Sequence, residues 1–365
     1  MALPRVTIIV TQRERFSLTQ TSLESILSDY LSYPFELIYV DGNSPPDIQE
    51  YLQTQADNYS FITLIRREHY LRSNTARNIA LPLVKDADYI VFVDNDDIVE
   101  PGWLRKLVDC AEAEDAAIVT PLILQGQPNA TEIEIHVAGI ETRFHQQRSG
   151  KRWFEQKQLL YGIALQQAES KLVRKIVDAV EFHCVLVRAS IMKLVQLDEI
   201  FDSLASHNDL CFQVDALGGK IFLEPSARVI FLNPRQISGF TAEDVPFYLF
   251  KWSEQSTQAV FKRMARKWNI ASNDPSIPSI WRWVIENRQL PIRGSIEAGS
   301  LGWQILDFCY RRNCPSWLRT LLEYSVLKRS FPAAGLPSNL EPLSQRQLSS
   351  PEGDSVDLPT ASQRA

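Results

Sequence analysis

The chain has 365 residues, room for two domains or for one large domain with an extension, and is 45% hydrophobic and 22% charged. A formal net charge of −6 argues against a nonspecific nucleic-acid binder, which needs a basic face. No run approaches the roughly 18–20 apolar residues of a membrane span, and no early stretch has the order of a signal peptide. The five scattered cysteines lack metal spacing and read as reduced thiols, so a cytoplasmic protein is expected.

Val6–Val10 is a short apolar run that predicts a buried first strand, closed by the polar loop Thr11–Arg15. From Leu18 to Leu31 the apolar residues Leu23, Ile26, Leu27, Tyr30 and Leu31 keep helical spacing. Phe35–Val40 predicts a second strand, stopped by Asp41-Gly42-Asn43-Ser44-Pro45-Pro46, and Pro46 opens a helix over Asp47–Ala56. Phe61–Ile65 predicts a third strand, and Asn74 is placed to cap a helix over Thr75–Leu83. Tyr89–Val93 is a fourth apolar run that leads straight into Asp94-Asn95-Asp96-Asp97. Pro101-Gly102-Trp103 opens a helix to about Ala113, and Ala117–Thr120 is a further strand.

Strand and helix alternate with short connections, which predicts an α/β fold with a mostly parallel central sheet flanked by helices. In such sheets ligands sit beyond the carboxyl ends of the strands. The loops Thr11–Arg15, Asp41–Ser44 and Asp94–Asp97 are therefore expected to converge on one crevice. No Gly-rich turn follows the first strand, which excludes a dinucleotide-dependent dehydrogenase. Crowded carboxylates repel unless a cation or solvent offsets them, and aspartate oxygens suit Mg²⁺ or Mn²⁺. The alternative for Asp94–Asp97 is a solvated turn.

The succession Val-Thr-Ile-Ile-Val, Tyr-Val-Asp-Gly-Asn-Ser, Ala-Arg-Asn-Ile-Ala and Phe-Val-Asp-Asn-Asp-Asp resembles the family 2 glycosyltransferases of the GT-A (Rossmann-like) fold. The resemblance is close over residues 4–125 and looser to about 270. It implies an inverting transferase that takes a nucleotide-diphosphate sugar donor and a divalent metal (Mn²⁺ or Mg²⁺), with a glycan or lipid-linked acceptor. Carried onto this chain, it implies a metal at Asp96 with Asp94, Asp94 near the ribose, Asp41 at the base, and Arg77 at the base or phosphates. Thr11, Arg13 and Asn95, from the converging loops, complete the donor-binding candidates. A diphosphate beside three carboxylates calls for a cation between them. Two alternatives stay open: Arg77 pairing with Asp86 or Asp88 at the surface, and Asp41 serving only an Asx turn. Gly42 stands where many relatives carry a second Asp.

Ile133–Val137 alternates like a half-buried strand, and Lys151–Glu181 reads as a polar helical or mobile stretch able to serve as an acceptor loop. Glu181–Val187 reads as a strand, with His136 and His183 as structural histidines. Ser206–Leu217 reads as a helix ended by Gly218-Gly219. The resemblance implies a general base at this helix start, within a Glu-Asp-x-Asp pattern. Here Ser206 and His207 replace the first two acids and Asp209 matches the last, with Glu224-Pro225 downstream as in a subgroup of the family. His207 or Asp209 is thus the candidate base, and Asp209 as a helix cap is the alternative. Phe231 stands where many relatives place a metal-binding His.

The expected division is a donor half over about 1–125, an acceptor half over about 126–240, a helical extension over 241–331 and a disordered tail over 332–365. The Trp- and Leu-rich stretch 281–331 carries Arg311, Arg312, Arg319, Lys328 and Arg329. It reads as packing against its own domain or a partner, with peripheral contact to an anionic membrane face as the alternative. Two rival functions are a nucleotidyltransferase, for which Thr11–Arg15 lacks the expected glycines, and a non-catalytic nucleotide-sugar or glycan scaffold.

Overall fold

The computed structural model describes residues 3–293 except Asn129, Thr131, Asp202, Ser203 and Ser238, together with Leu301, Gln304, Ile305, Phe308, Cys309 and residues 316–331. The expected tail over 332–365 lies outside the described residues. Strand β1 (Val6–Thr11), helix α1 (Thr19–Ser28), β2 (Glu36–Gly42), α2 (Pro46–Asn58), β3 (Ile62–Arg67), α3 (Ser73–Ala80) and β4 (Tyr89–Asp94) realise the predicted alternation. β1 and β4 are buried along their whole length, as apolar strands covered on both faces must be. Asn74 does not cap α3. Arg72 precedes the helix, and the Asn74 amide donates to the Asp198 carbonyl instead.

Next come β5 (Asp97–Val99), α4 (Trp103–Glu114), β6 (Ile118–Gln125), β7 (Glu134–Val137), β8 (Ile140–Gln146) and β9 (Arg152–Gln158). A short α5 (Leu165–Ala168), β10 (Lys175–Ile176), β11 (Cys184–Arg188), α6 (Ala189–Met192), α7 (Ser206–Ala216) and β12 (Ile221–Phe231) follow. The sheet runs β10-β12-β6-β11-β4-β1-β2-β3, with β5 on β12 and β7 on β6. β1, β2, β3 and β4 are mutually parallel, whereas β11 enters antiparallel between β4 and β6. The sheet is therefore largely parallel with antiparallel insertions. The Lys151–Glu181 stretch is not mainly helical: its first part pairs as the antiparallel hairpin β8–β9, where alternating Trp153, Glu155 and Lys157 leave one face to water.

The C-terminal region is helical, with α8 (Asp244–Lys251), α9 (Glu254–Lys267), α10 (Ile277–Arg288), α11 (Leu290–Arg293) and α12 (Ser316–Ser330). These helices pack on the sheet domain and on one another. Phe247 and Phe250 of α8 join Phe16, and Tyr248, Trp252 and Val284 form a second cluster. Val245, Ile292 and Leu327 bring α12 against α8 and α11, and Arg288 pairs with the buried Glu323. Val284, Ile292 and Leu327 of the stretch 281–331 are thus spent on internal packing, whereas Trp283, Leu301, Ile305, Phe308 and Leu321 remain exposed. Among the described residues, no helix is long and apolar enough to cross a membrane.

Candidate functional site

The three polar loops meet at the strand ends, as the parallel register demands. β1 and β4 pair from Val6↔Tyr89 to Thr11↔Asp94, so both loops leave the sheet at one level. Asn95, expected against a ligand, is spent bracing this junction. Its Oδ1 accepts from the Arg13 amide at 2.8 Å, and its Nδ2 donates to the Arg15 carbonyl at 2.8 Å and to Thr19 Oγ1 at 3.0 Å. Gln12 ties in the β2 loop, donating to Asp41 Oδ1 at 2.7 Å and accepting from the Gly42 amide at 2.8 Å. Asp41 is fully buried and also accepts from the Ser44 amide, Ser44 Oγ and Arg66. The Asx-turn role is therefore real, and Asp41 stands behind the cavity wall described below. At Gly42 an added Cβ would lie 3.0 Å from the Leu71 backbone nitrogen, so the local packing resists the acid that relatives carry there.

The aspartates divide into two electrostatic states. Asp94 is neutralised: Arg13 donates to its Oδ2 at 2.8 Å and Arg77 to its Oδ1 at 3.0 Å, with Thr11 Oγ1 at 3.5 Å. Burial alone would raise its pKa, but the two guanidiniums carry it below the ordinary carboxylate range. Arg77 is itself buried over the Phe182 ring, 3.9 Å from its centroid, and does not reach Asp86 or Asp88 at the surface. Asp96 and Asp97 are 0% exposed, and none of their four carboxylate oxygens has a hydrogen-bond partner among the described residues. Burial first, then the charges of Glu14 and Asp94, pushes Asp96 up to about 7. Burial and the neighbouring Asp96 and Asp94 push Asp97 well above its ordinary value.

β11 brings a third partner, His183, which the sequence alone presents only as a structural histidine. Cys184 pairs with Val93, so His183 lies opposite Asp94 and its carbonyl accepts the Asp94 amide at 3.0 Å. Its ring is fully buried, with Nδ1 3.2 Å from Asp97 Oδ1 and Nε2 3.3 Å from Glu181 Oε2. Burial, followed by the Arg13 charge, lowers the His183 pKa to about 3, so the ring is neutral. Glu181 is held in turn by His136 Nε2 at 3.0 Å and by Gln158. Burial opposes the ionised form of Glu181, but His136 outweighs it and takes the pKa well below the ordinary range. Asp94, Asp96, Asp97 and His183 offer ligand atoms within 4.8 Å of one another, as do His136, Glu181 and His183. A signal for this was present in the sequence: Glu181 and His183, two apart at a strand entrance, share a face.

In front of the acids lies a cavity of about 600 Å³ with two kinds of wall. Arg13, Arg77, Asp94, Glu181 and His183 line the charged side. Phe154, Tyr161, Trp252, Phe261 and Trp283 line the other, with the Trp252 and Trp283 rings edge to face at 5.0 Å. α10 thus contributes directly to the site, a role the sequence reading did not give it.

The two candidate bases separate at the start of α7. His207 is partly buried, lines the cavity and makes no hydrogen bond to the described residues. Burial lowers its pKa below the ordinary 6.5. Asp209 does not line the cavity. Its carboxylate accepts from Trp268 Nε1 at 2.8 Å, Lys267 Nζ at 2.8 Å and Gln213 Nε2 at 3.1 Å. Nor does Asp209 cap α7, whose N-cap is Ala205 in a left-handed conformation at φ +60°. Glu224 pairs with Arg174 and accepts from Ser226, at a break in the β12–β6 register.

Residues 7–168 match the family model "Glycosyl transferase family 2". Over those residues the chain is similar to the family 2 glycosyltransferases, and the comparisons together support a glycosyltransferase of the GT-A fold. Hyaluronan synthase of Pasteurella multocida is 26% identical over 117 residues, which are 32% of this chain and 12% of that protein. The crystal structure of GalNAc-T7 with UDP, GalNAc and Mn²⁺ superimposes with a TM-score of 0.53 at 15% identity, over 90% of this chain and 59% of that one. That likeness establishes the GT-A fold. The chain spans only part of the length of either relative.

Proposed function

We propose that the protein transfers a sugar from a nucleotide-diphosphate donor to an acceptor hydroxyl, with inversion and with a divalent metal. One observation carries this reading: two buried carboxylates without partners stand behind a cavity whose walls are charged on one side and aromatic on the other. An uncompensated buried carboxylate is costly, so the donor set of Asp96 and Asp97 beside the neutral His183 fits a hard cation. When bound there, Mn²⁺ or Mg²⁺ offsets the charge that grows on the leaving diphosphate. Arg13, 17% exposed at the mouth of the cluster, is placed to hold the same phosphates. Arg77 and Asp94 line the donor side of the pocket, Asp41 and Thr11 support it from behind, and Asn95 fixes the loop that carries Arg13. Trp252 and Trp283 suit the apolar faces of a sugar acceptor, whether a glycan or a lipid-linked one.

His207 takes the acceptor proton. The acceptor oxygen then bonds to the anomeric carbon on the face opposite the diphosphate, and the departing oxygen keeps the electron pair. A neutral imidazole facing the cavity suits this step, whereas Asp209 is already committed to Lys267 and Trp268. That commitment also favours, as a second reading, a nucleotide-sugar binder without turnover.

The test is a thermal-shift screen of nucleoside diphosphates and their sugars with and without Mn²⁺, followed by release of the diphosphate. The expected result is a metal-dependent rise in midpoint with one nucleotide, lost in Asp96→Ala, together with turnover. No shift with any nucleotide overturns the proposal, and binding without donor cleavage or transfer selects the second reading.

A further inference from the structure

We propose that Lys251, the last residue of α8, is a positioning residue for the loop after β1: through Glu14 it holds Arg13 where the donor diphosphate is to be gripped. The ligand in this proposal rests on the donor-site reading, whereas the positioning of the loop does not. It makes the helical C-terminal region part of the donor site, although the family match ends at residue 168.

The first observation is a buried ion pair. Lys251 Nζ donates to Glu14 Oε1 at 3.1 Å across 237 positions of chain, and the two side chains are 4% and 3% exposed. Glu14 Oε2 has no hydrogen-bond partner among the described residues, so Lys251 is what fixes this carboxylate. Burial opposes the ionised form of Glu14, and the charges of Lys251 and then Arg13 outweigh it. Both residues line the cavity beside Arg13, so the pair faces the ligand space rather than the sheet core. A buried ion pair adds little net stability over apolar side chains of the same volume. Its place at the cavity wall therefore points to position rather than to stability.

The second observation is how the loop is divided among its anchors. Arg15 donates to the Leu232 and Ile237 carbonyls at 2.6 and 3.2 Å. Ser17 donates its amide and its hydroxyl to the buried Asp244 at 3.0 and 2.6 Å. Those bonds hold the exit of the loop. At its start the Arg13 amide donates to Asn95 Oδ1 at 2.8 Å. Glu14 lies between the two sets, and its bond to Lys251 is the tie to the C-terminal region that adjoins Arg13.

The third observation is the firmness of the anchor. Lys251 ends α8, where the negative end of the helix dipole favours a cation. Its Nζ is 5.2 Å from the centre of the Trp252 ring, and Trp252 packs with Tyr248 of α8 and Val284 of α10. The ammonium is thus held in place from the side of the aromatic wall.

The experiment compares the full-length protein with Lys251→Met and with the double variant Glu14→Gln/Lys251→Met. The single substitution strands a buried carboxylate and can unfold the chain, whereas the double one removes both charges and should keep Tm. In the unliganded double variant the Arg13 amide should exchange its hydrogen about 10-fold faster, while the Ser17 amide, held by Asp244, keeps its wild-type rate. Calorimetric titration with ADP, CDP, GDP and UDP in Mn²⁺ should find the diphosphate that the wild type binds weakened by about 10-fold. Wild-type exchange at Arg13, or exchange accelerated equally at Ser17, overturns the positioning role, and so does an unaltered diphosphate affinity. A wild type that binds none of the four overturns the donor-site reading instead, and the exchange contrast then decides by itself whether Lys251 holds the loop.

Discussion

Asp209→Ala and His207→Gln separate anchoring from catalysis. Truncating Asp209 leaves the buried Trp268 indole N–H without its acceptor, a loss of about 1–3 kcal/mol. Lys267 keeps Asp198 at 3.9 Å, so its share is only about 0.5–1 kcal/mol. The sum of roughly 2–4 kcal/mol, set against an unfolding entropy of about 2.1 cal/mol/K per residue over the chain, lowers Tm by roughly 3–5 °C. His207 makes no comparable bond, so His207→Gln should leave Tm nearly unchanged while kcat falls by about 10²–10⁴. Calorimetry and initial rates at saturating donor and metal measure both effects. Asp209→Asn is the decisive control because its amide oxygen still accepts from Trp268. If that variant keeps its Tm yet loses kcat by the factor expected of a base, Asp209 takes the acceptor proton and the assignment to His207 is refuted.

Three further predictions follow from the same geometry. Because burial lowers the His207 pKa, the ring is neutral at pH 7, and kcat at saturating metal should hold as pH falls through 6.5 and decline only below it. A decline already centred above 6.5, or one unchanged in His207→Gln, contradicts this. Asp96→Asn removes a buried charge that no described group satisfies. In EDTA it should raise stability by roughly 1–3 kcal/mol in denaturant unfolding while abolishing the Mn²⁺-induced Tm shift; destabilisation in EDTA would show that the carboxylate is satisfied after all. Glu323→Ala strips Arg288 of its buried carboxylate partner and should cost about 3–5 kcal/mol, seen as protease cleavage at α12 long before the sheet domain is cut.

The parallel half of the sheet was legible because its signals are local. Val6–Val10 and Tyr89–Val93 are apolar runs ended by polar residues, and the rule that ligands gather at strand ends then placed the three loops together. The antiparallel entry of β11 was not legible, since it depends on pairing Cys184 with Val93 across 91 positions of chain. The surroundings of His183 were hidden for that reason: its neighbours in sequence are a strand, while its neighbours in space are acids. The β8–β9 hairpin was missed because Arg152–Gln158 carries only Trp153 and Phe154 as large apolar residues. Asp209 matched a motif but faces α9, because the commitment of its carboxylate to Lys267 and Trp268 is a tertiary event. The involvement of α10 in the cavity was hidden in the same way, since an aromatic stripe has the same period whether it meets a core or a ligand.

The charged wall and the aromatic wall come from stretches of chain that have little covalent reason to change together. Arg13, Arg77 and Asp94 lie within residues 7–168, which match the family, whereas His207, Trp252 and Trp283 lie beyond them. On the proposed reading, selection can therefore remodel the aromatic surface by exchanging the later helices while the strand ends assigned to the diphosphate stay fixed. For an engineer this makes the stretch from α8 to α10 a cassette: on the proposed reading, new acceptor preferences are best sought at Phe261 in α9 and the exposed Trp283 in α10, whereas Trp252 also packs with Tyr248 and Val284.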